Sequence, residues 1–264
     1  MSTDLQFLIA RSARLDLEGI DFTRFADEPL DAATLRCLRY MHDVESHTMC
    51  YLRDVLVTRA HADPEVTAFL AAWAYEEHWH GDAIARVLDA HAEAAGLARV
   101  RVTRDALPRR DRLRPMAFLM ASLLSRHVVA LHMAWGAVNE WTTQAAYVRL
   151  AKRAGHPVLA ELLRRITKQE GRHIDFYAEQ ARRRLAGCKG AQLIVRHALG
   201  RWWEPVGAGI MGREELAFLV THLFGDEEGT SVAARLDRHI DRLPGLAGLR
   251  LVQGAVAGLH APAR

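Results

Sequence analysis

The chain has 264 residues and a formal net charge of +3, with 50% hydrophobic and 25% charged residues. This balance is typical of a globular protein with a sizeable core. The mild charge argues against a nucleic-acid-binding protein. No run of 18 apolar residues without charge occurs, so no membrane span is expected.

The three cysteines, at positions 37, 50 and 188, lack the CxxC spacing of metal and redox sites. They predict reduced thiols in a cytoplasmic protein. The first fourteen residues contain no basic region followed by an apolar run, so no signal peptide is expected.

The predicted elements are helices throughout, because apolar residues recur at steps of three and four and no stretch alternates like a strand. Residues 4–18 are expected to form a first helix. A long helix is predicted from an N-cap at Asp31. The next is predicted to begin at Asp63 and Pro64, a cap followed by proline, and to stop at Gly96.

The second half of the chain continues this pattern. Residues 96–114 are predicted to form a basic connector that crosses between two helix pairs. A third helix is expected over 115–154, either continuous or interrupted once, and a sharp stop separates it from a fourth over 157–185. Two or three shorter helices are expected over 191–243, with a loosely held tail over 244–264.

Two Glu-x-x-His motifs lie on these helices, and each follows a lone glutamate by about 30 residues. One such motif alone is weak evidence for a metal site, because a surface Glu–His pair at this spacing is common. Here both motifs and both lone glutamates are in phase with apolar residues. The complete set, in chain order, is Glu45, Glu77, His80, Glu140, Glu170 and His173.

Four bare carboxylates in a helical core would be very costly to bury. Two divalent cations would balance their charge of −4. Carboxylate oxygens with one imidazole for each metal suit iron or manganese better than structural zinc. The sequence therefore predicts an all-α fold, a ferritin-like four-helix bundle with a dinuclear metal site and additional C-terminal helices.

The whole of 1–264 is expected to form a single domain, with the bundle core at about 31–187 and a helical extension over 191–264. Around the second helix, the stretch Ala72–Asp82 resembles the soluble desaturases that act on acyl chains bound to acyl carrier protein (fatty acid desaturase type 2). The family pattern there is Glu-Glu-x-x-His-Gly-Asp. The resemblance continues through Asn139–Thr143 and covers roughly residues 35–185.

The resemblance implies a homodimer in which the six motif residues bind two Fe²⁺ ions, with Mn as a substitute. Glu77 and Glu170 would bridge the ions. With O2 and two electrons from a ferredoxin-type donor, such a site removes two hydrogens from an acyl chain. The carrier protein is acidic, and the basic runs 109–114 and 182–184 would fit it by charge.

Three further residues gain roles from the resemblance. Thr143 matches a threonine that helps to deliver protons, although its hydroxyl could instead bond its own helix carbonyl. Gln169 stands where the family often has Asp, and its oxygen would accept the N–H of His80. Glu76 would support His173 in the same way.

Two other functions remain open from sequence. A hydroxylase or N-oxygenase of secondary metabolism could use the same ligands, and His42 or His47 as an extra ligand would mark that variant. Alternatively, either histidine only supports the site or lies at the surface. The third reading is a non-enzymatic iron-storage bundle. The desaturase is the leading hypothesis.

Overall fold

The computed structural model of the protein describes the backbone of residues 3–260, and within that range it contains helices and no β-strand. No helix in this part of the chain is long and apolar enough to cross a bilayer. The α-helices are α1 Thr3–Arg11, α2 Arg24–Asp27, α3 Ala32–Leu56, α4 Pro64–Ala90, α5 Gly96–Asp105, α6 Arg114–Leu124, α7 Val128–Ala154, α8 Pro157–Leu185, α9 Lys189–Trp202, α10 Arg213–Phe224, α11 Glu227–Asp241 and α12 Leu251–His260. Short 3₁₀ helices occupy Arg59–Ala62 and Arg109–Leu113.

The chain forms two compact units. Unit 1 comprises residues 1–126 and 150–169, and unit 2 comprises residues 127–149 and 170–264. In unit 1 the α3–α4 pair forms the centre, and α1, α2, α5 and α6 pack against one or both of these helices. In unit 2, α10, α11 and α12 pack on one another. Of the three points at which the chain passes from one unit to the other, two fall inside helices, in α7 and α8, and the first falls between α6 and α7.

The two long helices of unit 1 begin where the sequence predicts. The Asp31 side chain accepts a hydrogen bond from the backbone N–H of Thr34 at 2.7 Å. The Asp63 side chain caps α4 by accepting from the N–H groups of Glu65 and Val66, and proline occupies the first helical position. These caps satisfy amide groups that a helix start leaves without an internal partner.

Unit 1 differs from the predictions at three points. The first helix ends at Arg11 rather than at residue 18. Helix α4 ends at Ala90, because Ala92 adopts φ +57°, which a right-handed helix cannot continue. Gly96, with φ +61°, begins α5 instead of ending α4, so the predicted connector contains a helix of its own.

The predicted third helix is interrupted once. Helix α6 ends at Leu124 with Ser125 in an extended conformation, and α7 begins at Val128. The predicted start at Pro157 for α8 and the end at Leu185 are both confirmed. Three helices fill the segment for which two or three were expected.

The prediction of a loosely held tail is wrong for residues 251–260. They form α12, and Val252 is buried. The carboxylate of Asp237, itself buried, accepts hydrogen bonds from the backbone N–H groups of Val252 and Gln253. The capping residue of α12 lies on α11, so the sequence next to α12 does not reveal it.

A buried arginine organises unit 2. Arg149 on α7 is 3% exposed, and its guanidinium forms ion pairs with Asp226 and Glu228 at the start of α11. Its Nε also donates to the carbonyl oxygen of Leu223 on α10. The Asp226 side chain caps α11 by accepting from the N–H of Gly229. One side chain thus fixes the junction of three helices.

Candidate metal centre

The first cluster of potential ligands lies in unit 1. Glu45 comes from α3, while Glu77 and His80 lie one turn apart on α4. The ligand atoms of these three residues lie within 4.8 Å of one another. All three side chains are buried, and His80 is completely inaccessible. The central helix pair of the unit therefore places two carboxylates and one imidazole at a single point.

The second cluster lies in unit 2 and has the same composition. Glu140 comes from α7, and Glu170 and His173 lie one turn apart on α8. Their ligand atoms also lie within 4.8 Å of one another, and all three residues are buried. His173 Nδ1 is 3.3 Å from Glu170 Oε2. The Nδ1 atom of His173 therefore faces the carboxylates.

Gln169 fixes the protonation of His80. The Nε2 amide nitrogen of Gln169 donates to the carbonyl oxygen of Ala13 at 3.1 Å, so its oxygen is the atom that faces His80. That oxygen lies 2.8 Å from His80 Nε2, which must therefore carry the proton. His80 Nδ1 then keeps its lone pair on the side of Glu77 Oε2, which lies 3.6 Å away. Gln169 thus contacts His80, and its role in supporting a metal ligand stays a prediction.

The backbone of Ala13 also contacts the other supporting residue of unit 1. Its N–H donates to Glu76 Oε1 at 3.3 Å, while its carbonyl accepts from Gln169. Arg14, the next residue, lies with its guanidinium 4.2 Å from the ring centroid of Trp79. Sequence reasoning missed this segment, because Ala13 carries no polar side chain. The role of Glu76 toward His173 stays a prediction.

The chemistry of the donors fits a pair of divalent metals. With its two glutamates ionised and its histidine neutral, the form that binds metal, each cluster would carry a charge of −2, which one divalent cation balances. Leaving such carboxylates buried without a counter-charge is very unfavourable. Oxygen-rich donors with one nitrogen suit iron and manganese. The buried carboxylates and histidines are thus suited to a dinuclear metal site.

The flanking histidines do not belong to the metal-ligand clusters found among the described residues. His42 Nδ1 contacts Asp43, and its Nε2 accepts from the N–H of Gly96 at the start of α5. His47 is also buried, and burial lowers its pKa to about 4. The structure therefore gives neither histidine a place among the ligands.

Thr143 is half-buried on α7, one turn after Glu140. The hydroxyl of the neighbouring Thr142 bonds its own helix backbone, as threonines often do inside helices, and donates to the carbonyl oxygens of Val138 and Asn139. The hydroxyl of Thr142 is thus already bonded to its helix. The role of Thr143 in proton delivery stays a prediction.

Unit 2 also contains a cavity of about 510 Å³. Small residues of α11 and α12 line it, together with the polar side chains of Thr230, Arg250 and Gln253. No residue of the second cluster lines this cavity. It is therefore separate from the residues suited to bind metal.

No family model and no curated protein matches the chain. Among solved structures, it is similar to a glycine-to-leucine variant of an R2-like ligand-binding oxidase with an aerobically reconstituted Fe/Fe cofactor. The TM-score is 0.58 at 15% identity, covering 98% of this chain and 90% of the other.

A valine-to-isoleucine variant of an R2-like ligand-binding oxidase, with a Mn/Fe cofactor, matches at a TM-score of 0.55 and 16% identity. The match covers 98% of this chain and 91% of that one. Identity at this level establishes the fold and leaves the activity to be argued from the site. The chain has an all-α, ferritin-like helical-bundle fold.

Proposed function

We propose that this protein is an O2-dependent oxidoreductase with a dinuclear iron centre, in which manganese can substitute. One observation carries the proposal. Each unit buries a cluster of the same kind, two glutamates and one histidine with ligand atoms within 4.8 Å. The proposed ligands of the one centre are Glu45, Glu77, His80, Glu140, Glu170 and His173.

The proposed reaction is the desaturation of an acyl chain bound to acyl carrier protein. Two hydrogens leave the chain as a double bond forms. With two further electrons and two protons, O2 is reduced to two waters. When bound, the reduced metal pair would activate O2, which is the oxidant for C–H cleavage. The resemblance of residues 35–185 to the soluble desaturases supports this substrate class.

The protein's own residues orient ligands and exclude water. Gln169 keeps His80 in the tautomer whose Nδ1 can bind metal. Complete burial of His80, Glu170 and His173 keeps bulk water from the ligands, which strengthens every charge interaction there. Thr143 is proposed to pass protons to reduced oxygen, one helical turn from Glu140.

The proposed partners are an acidic carrier protein, a ferredoxin-type donor and a second copy of the chain. Arg182, Arg183 and Lys189 are exposed around the end of α8 and offer positive charge for carrier docking. The basic run 109–114 is the other predicted dock, and the side chains of Arg109 and Arg110 lie outside the described part of the structure. Arg182 is ion-paired with Glu179, a contact that an acidic partner would have to displace.

A second candidate is a hydroxylase or N-oxygenase with the same ligands. The residue that favours it is Gln169, because the desaturases often have a charged Asp at this position. An uncharged acceptor makes the histidine less electron-rich, which changes the metal's potential and reactivity.

One experiment separates the two candidates. Iron-loaded protein is given a reductant, O2 and a set of acyl carriers, and the products are analysed by mass spectrometry. Loss of two hydrogens supports desaturation, whereas gain of one oxygen supports the second candidate. Glu77→Ala protein, treated identically, controls for free iron. No change in any carrier, under conditions in which O2 is consumed, would contradict the desaturase.

A further inference from the structure

Helix α6, in unit 1, presents an apolar side to solvent. Met116, Leu123 and Leu124 are 60%, 62% and 83% exposed. At 100° per residue, these and two neighbours occupy an arc of about 140° on the helix. We define the α6 face as Met116, Leu119, Met120, Leu123 and Leu124, all exposed.

The opposite side of α6 is fixed to the protein by polar contacts. Ser122 is the buried residue of this helix, and its hydroxyl accepts from the N–H of Arg59 at 2.8 Å. Arg59 Nε donates to the Ser122 carbonyl oxygen at 3.0 Å. At the start of α6, Arg114 pairs with Asp54, which is buried on α3. These contacts orient the helix, so the outward position of its apolar side is specified.

The surrounding segment is strongly basic. Residues 96–126 contain eight arginines against two aspartates, a net charge of +6, whereas the whole chain carries +3. Arg101, Arg104 and Arg112 are exposed. The segment adds further apolar side chains, since Leu97 and Leu113 are exposed as well. The rest of the chain is therefore net negative, and positive charge coincides with exposed apolar surface.

We infer that the α6 face binds the surface of an anionic lipid bilayer, with α6 lying in the plane of the interface. Exposed apolar patches on this scale mark interaction sites. A helix with leucines on one side and arginines nearby is the composition of interfacial membrane helices. Arginine attracts anionic headgroups, while the apolar side chains enter the acyl boundary. This inference does not depend on the proposed reaction, but it assigns the basic run 109–114 to lipid headgroups rather than to the carrier protein.

Charge argues against a second copy of the chain as the occupant. A two-fold dimer places the same patch on both sides of the interface. Two arginine-rich segments would then face one another, which is unfavourable even though Asp43 and Asp54 pair with Arg99 and Arg114. An acidic carrier protein would pair with the arginines. It would not account for the five neighbouring Leu and Met side chains of the α6 face, none of which can donate a hydrogen bond to an acidic group. A lipid surface satisfies both features.

The experiment is sedimentation of the full chain with vesicles of phosphatidylcholine, with and without phosphatidylglycerol. We expect binding to the anionic vesicles and not to phosphatidylcholine alone, weakened by salt as charges are screened. Leu123→Glu should reduce the partition coefficient by about tenfold or more, because a leucine that would enter the acyl region of the bilayer is replaced by a charge. Arg112→Glu should also weaken binding.

The matched control is Leu193→Glu on α9, where the leucine is 68% exposed and lies outside the basic segment. It should bind vesicles like the wild type. Thermal unfolding by circular dichroism checks that each variant is folded, and Met120→Glu serves as a second variant of the α6 face. The inference would be overturned if the wild-type protein stayed in the supernatant, or if Leu193→Glu lost as much vesicle binding as Leu123→Glu. It would also be overturned if Leu123→Glu dissociated a dimer of the chain, or if this variant lost binding to a carrier protein while the wild type bound no vesicles.

Discussion

Gln169 holds the imidazole of His80 through one hydrogen bond, so the charge at this position acts on the metal through the histidine. We predict that Gln169→Asp lowers the reduction potential of the iron-loaded protein, because a negative charge favours the more oxidised metal. It should also change the rate of reduction. Potentiometric titration followed by electron paramagnetic resonance measures the potential.

Gln192→Asp makes the same change at a glutamine whose amide donates to the Leu185 carbonyl oxygen, and it should leave the potential unchanged. Equal potentials in wild-type and Gln169→Asp proteins would show that the hydrogen bond does not tune the metals.

Two helical glycines of unit 2 should respond in opposite ways to alanine. A Cβ at Gly136 would lie 2.3 Å from the ring of Tyr177, which is fully buried. Gly136→Ala should therefore destabilise the protein by about 1–3 kcal/mol through overpacking. At Gly171 a Cβ would meet only Gln144 Nε2, at 3.9 Å. Gly171→Ala should stabilise by about 0.5–1 kcal/mol, because alanine favours helix.

Chemical denaturation of the metal-free proteins measures both changes. A stable Gly136→Ala variant would mean that Tyr177 can move. Destabilisation by Gly171→Ala would mean that the space beside Gly171 is too small for a methyl group.

At the scale of elements, Arg149 joins three helices of unit 2. Arg149→Met keeps much of the volume but removes the pairs with Asp226 and Glu228 and the bond to Leu223. The two carboxylates are partly exposed, so water compensates in part. We expect a loss of about 2 kcal/mol, measured as a lower midpoint in urea.

The control is Arg164→Met, which removes an exposed ion pair with Glu161 one turn away on α8. Exposed pairs contribute little, and its effect should stay within about 0.5 kcal/mol. A comparable loss in both variants would mean that Arg149 contributes no more than a surface arginine.

Local signals predicted most helix starts, whereas helix ends and caps that depend on distant segments were not predicted. Asp31 and Asp63 cap helices through residues two or three positions away, so sequence reveals them. The positive φ of Ala92 has no such signature, because alanine rarely adopts it. The cap on α12 comes from Asp237, fifteen residues before Val252 in the sequence. Helix starts were therefore predictable, whereas the end of α4 and the ordered tail were not.

The same distinction holds for the candidate site. The Glu-x-x-His spacing predicted that Glu77 lies beside His80 and Glu170 beside His173, since one helical turn joins each pair. The partners from other helices, Glu45 and Glu140, were placed by their phase with apolar residues. The exclusion of His42 could not be predicted, because its partner Gly96 belongs to a segment read as a connector.

For the whole molecule, metal should be a large part of stability. Four buried glutamates repel one another without cations, so we predict that about two Fe²⁺ or Mn²⁺ ions bind per chain. A free metal concentration of 100 times Kd would stabilise the fold by about 2.7 kcal/mol. Chelation should lower Tm, measured by calorimetry, with metal content measured by mass spectrometry.

Glu45→Ala and Glu140→Ala each remove a carboxylate from one cluster and should lower the metal content. Glu161→Ala, at a partly exposed carboxylate outside both clusters, should leave the metal content unchanged. Unchanged metal content in both cluster variants would contradict the ligand assignment.

Acid should destabilise the metal-free protein partly through His132. Burial lowers the pKa of His132 to about 4 from an ordinary value of 6.5. The unfolded chain therefore binds the extra proton first, and stability falls as the pH drops from about 6.5 to 4. The full effect is roughly 3 kcal/mol. His132→Gln should flatten the pH dependence of unfolding in this window, whereas His197→Gln, at an exposed histidine, should not.

The contacts of Ala13 have a consequence for how this protein would be studied. Ala13 is exposed, while its peptide groups hydrogen-bond to both Glu76 and Gln169. Replacing the side chain leaves those peptide groups in place, so a scan of side-chain substitutions would show no effect at position 13. Proline at this position removes the amide hydrogen and would test the bond to Glu76, whereas a shortened N-terminus would also remove the carbonyl group that orients Gln169 and, through it, His80.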